Sequence, residues 1–562
     1  MEIVSKFLEK YRSRILLLWA FVFLIHGEKL HSEIIGIDTE DLIHIQGDFY
    51  GGWLNTGRQG LVALKWLTAS LKYRPYVAGL FTLVLFGLAV SAFFVLWDKQ
   101  CGKKREQTWL SWIMGSLLVI AHPVITEQFY FTLQSAEICI GMLLTALALY
   151  LVNGYDGKRH WWKLTCAVLI LLLTFSVYQS FVVLFIFGTV TILLLQAIRE
   201  ISDGEKTTAG RLLQKIIPFL VTFLAAFCLN QLVTKLFFGS SDYLSGQVLW
   251  GKFKITDNFR AIVGHMVKAL TGYDSIYYHF VFGVLCILTT VLVVILCRRD
   301  AKGKKGVAAV LLFYLAALFL TPFLMTIVCG GTPAARAQLV LPFATGFLAY
   351  MDGVLLAERK CVKQTGAEQT QDKLSQKTRL QAEKSLQREA LQEEKPQNRL
   401  VGVTVTKVVT VCMAIICAVG IFGELQTTLS LYYTEEMRFE QDAYLGRELI
   451  QEIEKVTAET GEASLPVAVI GKREFSGNNA CIRGEIMGKS IFDHDTEVEP
   501  QYYWSTRRVL GFLHILGADY PQVSKEEFSA VAEQSADMPC FPAEGSVQVR
   551  DGKVVIKLSE SE

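Results

Sequence analysis

Long apolar runs alternate with short polar intervals over the first three quarters of the chain. A helix crosses a bilayer with roughly 20 mostly apolar residues. That length predicts spans near 14–34, 76–97, 109–126, 131–152, 162–177, 181–198, 216–237, 277–297, 307–328, 338–356 and 400–423. The fifth and sixth form one apolar run, divided at Tyr178-Gln179-Ser180 because no single straight helix needs so much length. Beyond 423 the pattern changes. An amphipathic helix is expected over 433–457, then LPVAVIG as a buried strand and RRVLGFLHILG as a helix. SVQVRDGKVVIKL alternates by two around Asp551-Gly552, which predicts a hairpin. The expected fold is an α-helical polytopic membrane protein of about 11 transmembrane helices over 1–423, followed by a small C-terminal α/β domain over 424–562.

Composition supports the membrane reading: 52% hydrophobic residues and 19% charged residues in 562 exclude a single soluble domain. The net charge is only +2, and its distribution says more than its sum. Lysine and arginine crowd Lys6 to Arg14, Lys99 to Arg105, Lys158 to Lys163, Arg199 to Lys215 and Arg298 to Lys305, and they are scarce in the intervals between. The positive-inside rule then puts the N-terminus in the cytoplasm and the C-terminal domain outside. No small-x-small site follows the first apolar core, so that span is expected to be retained. Nothing in the charge pattern implies a nucleic-acid partner.

Four polar regions organise the rest. In the first outer loop, 35–75, Leu61, Leu64, Trp66, Leu67 and Leu71 recur at helical spacing with Lys65, Lys72 and Arg74 alongside. This is an amphipathic helix, either lying on the membrane or capping the bundle. The second long outer loop, 238–276, is rich in aromatics, which suits a carbohydrate lid or simply a membrane interface. A mixed-charge, glutamine-rich linker over 357–399 is expected to be cytoplasmic. The fourth region is the C-terminal domain, where sequence leaves a pairing of Cys481 with Cys540 open.

The candidate chemistry starts with Asp38, Glu40 and Asp41, three carboxylates where the chain leaves its first span, with Arg58 in the same loop. Group transfer to a hydroxyl needs a carboxylate to take its proton and cations to hold a departing phosphate. The residues alone leave this reading open beside plain solvated loop charge. Arg336, in CGGTPAARAQLVLP, is the one basic residue of a short outer loop, which suits phosphate binding or interfacial snorkelling. Tyr178, Gln179 and His265 are polar at or near membrane depth. Glu127 and Glu137 flank a very short outer turn, as wet helix ends or as groups lining a cavity, and His122-Pro123 reads as a kink.

Four motifs together resemble a known family: GIDTED after the first span, NTGRQGL in the first loop, YQSF in the double span and GGTPAARAQLVLP before the tenth. They are similar to those of the bacterial Gtr type II glucosyltransferases, multi-span enzymes of the GT-C class, over about residues 14–450. The resemblance implies transfer of a hexose, usually glucose, from a polyprenyl-phosphate donor to a surface glycan acceptor at the outer face of the bacterial cytoplasmic membrane. It implies an inverting displacement, with a first-loop acid as base: Asp38 or Glu40, then Asp41. By charge and location, Arg58 and Arg336 would hold the lipid phosphate, with Tyr178 and Gln179 in the substrate site. No cofactor is implied and no metal-ligand set is identified, although the acidic cluster has the chemistry to coordinate a divalent cation. A separate donor synthase and a flippase are the expected partners. The alternatives are a flippase or transporter of lipid-linked sugars, and a glycan polymerase or ligase.

Overall fold

The computed structural model describes residues 2–31, 35–102, 109–238, 246–273, 275–301, 304–357, 397–461 and 464–560. The expected linker lies almost wholly outside the described residues.

Eight helices among the described residues are long and apolar enough to cross a membrane, or nine if the pair Trp109–Ile120 and Pro123–Tyr130 counts as one span. Eleven spans were expected. The difference lies in three places. The pair is bent by 45° at His122-Pro123, where proline has no N–H to return to the preceding turn and holds His122 extended at φ −65°, ψ 128°. The fifth apolar segment folds as a short helix, Trp161–Phe175, and the next begins at Ser180, so the chain breaks around Tyr178-Gln179. The first helix runs Glu2–His26 and stops short of the expected 34. It is too charged in its N-terminal half to rank with the eight. A 3-10 turn, Gly27–Leu30, follows it. His26 ends the helix inside the protein, one ring nitrogen 2.8 Å from the Tyr432 hydroxyl and the other 2.8 Å from the Ile120 carbonyl.

Helix Pro75–Cys101 packs most extensively on Thr132–Asn153 and carries Phe86, Phe93, Phe94 and Trp97, all fully buried. In lipid, little water is displaced when helices meet, so close packing and polar ties decide which faces associate. Gly115 and Gly346 show the packing: a Cβ on either would lie 2.5 Å from the other's carbonyl oxygen. Trp97 Nε1 donates to Thr191 Oγ1 at 3.0 Å, and the Thr82 and Ser135 hydroxyls meet at 2.7 Å. Ties of this kind contribute about 0.6 kcal/mol each.

The first loop folds as three short helices, Thr39–His44, Gln46–Asn55 and Gln59–Leu67. The last lies within the expected amphipathic helix, and Lys65 on it faces into the protein. It is buried, 3.1 Å from Glu137, which also accepts from Ser70 Oγ at 2.8 Å. Glu137 is therefore an ion-pair node and not a wet helix end. In the second long loop the helix Ile255–Thr271 exposes Phe259, Val263 and Val267 along one side.

The last span belongs to one unbroken helix of 64 residues, Gln397–Thr460. At 1.5 Å per residue it is about 96 Å long, so the separate helix expected at 433–457 is its continuation. After it comes a three-stranded sheet of order β1-β3-β2, with β1 Val467–Ile470, β2 Val547–Arg550 and β3 Lys553–Lys557. The hairpin turns at Asp551-Gly552, and β1 joins β3 in parallel with Val467 opposite Val554. Helices Tyr503–Ile515 and Lys525–Gln534 pack on the sheet. Cys481 and Cys540 are both free thiols.

Candidate functional site

The acidic cluster sits on a loop anchored from two sides. Ile37 N donates to the Tyr130 hydroxyl at 2.8 Å, and Arg438 of the long helix donates to the Ile35 carbonyl at 3.0 Å. Gly36 lies flat on the Tyr130 ring, where a Cβ would come within 2.6 Å of Cζ. Arg438 is fully buried between Glu435 and Asp442, an arrangement that lets a guanidinium sit in the interior without a lone charge. Asp38 follows at φ +72°. For a residue with a Cβ this left-handed conformation is uncommon, and such outliers gather at functional sites.

The three carboxylates meet arginines from the far end of the chain. Arg508, on helix Tyr503–Ile515, donates to Glu40 Oε1 at 2.7 Å, to Asp38 Oδ1 at 3.3 Å and to Asp495. Its neighbour Arg507 donates to Asp41 Oδ1 at 3.4 Å. Glu40 has no exposed surface, and its second oxygen is buried with no hydrogen-bond partner among the described residues. Burial, with Asp41 and Asp38 nearby, pushes the Glu40 carboxyl up to about 8 against the pull of Arg508. Arg508 is itself held charged, well above its usual value, because the carboxylates Glu40, Asp38 and Asp495 outweigh its burial. Asp38 keeps 35% of its side-chain surface exposed. It is the member of the cluster that a solvent-borne hydroxyl reaches most readily.

The other sequence candidates form a second set of contacts. Arg336 lies over the Phe131 ring at 4.8 Å, next in sequence to Tyr130, and pairs with Glu485 at 3.5 Å. Ser180 Oγ donates to the carbonyl of Ala337 at 2.7 Å, so the break at Tyr178-Gln179 abuts the Arg336 loop. Arg58 lies over the Tyr178 ring at 5.6 Å, and its Nε is buried without a hydrogen-bond partner among the described residues. Gln179 leads into the helix that starts at Ser180, with its carbonyl accepting from Val182 N at 3.1 Å. The first loop and the Arg336 loop thus rest on the neighbouring residues Tyr130 and Phe131, and the Arg336 loop in turn meets the break that carries Tyr178 and, over its ring, Arg58.

Beside Arg336 opens a cavity of about 760 Å³. Lys268 and His265 of helix Ile255–Thr271, Tyr277 and Tyr278 of the loop after it, Gln338, and Arg483 and Glu485 of the C-terminal segment line it. Glu127 braces two of the lining residues: it accepts from the Tyr277 hydroxyl and, at 2.8 Å, from Glu485 N. Glu127 is a buried structural acceptor, and the wet-end reading is corrected here too. His265 meets the Thr326 and Tyr278 hydroxyls, each at 2.8 Å.

The segment from Arg483 to Asp495 ties the cavity to the acidic cluster. Glu485 walls the cavity, Gly488 N donates to Glu435 at 2.9 Å, Ser490 Oγ donates to Asp442 at 2.6 Å, and Asp495 accepts from Arg508. None of these residues was singled out from the sequence. The sequence held no signal for Arg507 and Arg508, because the positive-inside trend that marked Arg336 acts on short loops beside a span and not on a long module with many basic residues.

These features define a polytopic helical membrane protein whose polar loops converge on paired carboxylates and arginines. The family model described as glucosyl transferase GtrII matches residues 34–351, and the chain belongs to that family. It is therefore a membrane glycosyltransferase that works with a sugar donor and an acceptor. The matched region holds the acidic cluster, Arg58, Tyr178, Gln179 and Arg336, and it ends before Arg508. No curated protein and no solved structure matches the chain.

Proposed function

We propose that this glucosyltransferase moves glucose from a polyprenyl-phosphate carrier to a cell-surface glycan at the outer face of the cytoplasmic membrane, with inversion. The acceptor hydroxyl gives its proton to the Asp38 carboxylate as its oxygen bonds to the anomeric carbon. The bond from that carbon to the phosphate oxygen breaks, and its electron pair stays on the phosphate. Arg58 and Arg336 stabilise the charge that develops there. Glu40 holds Arg508, which in turn keeps Asp38 in place, while Asp41 pairs with Arg507.

The observation that carries this reading is Asp38 itself: left-handed, partly exposed, and oriented by Arg508 at 3.3 Å. The cavity beside Arg336 falls in the range of about 300–1,000 Å³ that small-ligand sites occupy, and its cations, tyrosines and amide suit a sugar phosphate. The prenyl chain lies against the apolar helices.

The deciding experiment supplies nanodisc-embedded protein with radiolabelled polyprenyl-phosphate glucose and a glycan extract. Wild type transfers label to the glycan, and Asp38→Asn loses about 100-fold or more. Labelled lipid that crosses the bilayer unconsumed, with no product, overturns the transferase reading in favour of a flippase.

A further inference from the structure

His44 ends the helix Thr39–His44 one turn beyond Glu40 and Asp41, and like them it faces the C-terminal module. There it meets His514, in the last turn of helix Tyr503–Ile515, and Asp519, which the turn at Gly517 (φ +102°) brings back beside that helix end. His44 Nε2 lies 3.3 Å from Asp519 Oδ1 and His514 Nδ1 lies 3.4 Å from the same oxygen. The ligand atoms of all three residues fall within 4.8 Å of one another.

We infer that His44, His514 and Asp519 bind one divalent transition-metal ion, with zinc the best match, clamping the first loop to the C-terminal module. The donor set is two imidazoles and one carboxylate, a combination zinc accepts with ligand distances of roughly 2.0–2.1 Å. A tetrahedron with such arms has edges of about 3.3–3.4 Å, the spacing of both nitrogen–oxygen pairs here. A cavity of about 330 Å³, lined by His44, Asp519 and Gln522, leaves the fourth position to water. Arg507 borders this cavity, but its charge is engaged by Asp41. Ligands from the two elements that carry Glu40 and Arg508 make the ion a clamp on that contact, so it acts by positioning and takes no part in the sugar chemistry.

The test uses untagged full-length protein in nanodiscs, stripped with chelator, exposed to Zn²⁺ or Co²⁺ and desalted. Wild type retains about one ion per chain, shows the visible bands of four-coordinate Co²⁺, and unfolds at higher temperature with zinc than without. Asp519→Asn changes a largely exposed residue, so it folds, and with His514→Ala it binds about 100-fold more weakly or worse and loses the zinc-dependent rise. Zinc well below one per chain in wild type, or equal retention in both variants, overturns the assignment. The readouts are metal content, absorption and melting, so they are independent of sugar transfer.

Discussion

Arg508 and Glu40 are separated by 468 residues of sequence and by 2.7 Å in space. One guanidinium joins three carboxylates, two from the first loop and one, Asp495, from its own module. Removing Arg508 takes a donor from buried Glu40 and a counter-charge from Asp38 and Asp495, and losing charge-assisted hydrogen bonds of this kind costs about 1.5–3 kcal/mol. Arg508→Ala is expected to lower the unfolding temperature in nanodiscs and to reduce transfer. The stability loss is smaller in a Glu40→Gln background, because the two residues act as a unit. Additive losses would show that the contact carries no coupling.

Raised to about 8, Glu40 keeps its proton in the folded protein long after an unfolded carboxyl near 4.5 has lost it. The folded state then binds more protons over that interval, so this contribution is fully present below about pH 4.5 and fades as pH rises through about 8. The melting temperature of wild type is expected to fall across that window relative to Glu40→Gln, which lacks the titration. Parallel pH profiles for the two proteins would remove Glu40 as the source.

Asp38 separates chemistry from folding. Asparagine tolerates the left-handed region nearly as well as aspartate, whereas alanine is strained there by about 1 kcal/mol. Asp38→Asn should therefore melt close to wild type while kcat falls about 100- to 10,000-fold. Asp38→Ala should lose both activity and stability. Retained turnover in Asp38→Asn moves the base elsewhere in the cluster.

Arg336 and Arg58 are expected to act on the donor phosphate. Charge-assisted hydrogen bonds contribute about 1.5–3 kcal/mol, so Arg336→Ala and Arg58→Ala should each lower kcat/KM by about 10- to 150-fold. Lysine at either position restores charge but not the planar fork and stacking, so it should recover only part of the loss. Steady-state kinetics with varied lipid donor checks this, and an unchanged kcat/KM removes that arginine from the donor site.

Lys65 and Glu137 test the buried ion pair under the first loop. Lys65→Met strands Glu137 among apolar helices and should cost about 3 kcal/mol, whereas the double change Lys65→Met with Glu137→Leu should recover most of it. Thermal unfolding of the three variants reads the difference.

Sequence by itself determined the elements whose causes are local. Runs of apolar residues set most of the spans, Pro123 set the bend, and the alternation around Asp551-Gly552 set the hairpin, because hydrophobic length, a missing N–H and a two-residue period act within a few residues. The first-loop carboxylates and the arginines at 58 and 336 were legible because charge beside a membrane span has few reasons to be there. Tertiary structure alone decided what those groups touch. Arg508, Asp495 and Glu485 come from a module outside the matched family region, the wet-end reading of Glu127 and Glu137 failed, and the two readings of the helix that carries Lys65 were not separable. Burial and pairing depend on which helices pack together, and the partner of a charge can lie hundreds of residues away. The pattern along the chain records that a charge is present, and only the packing selects its partner.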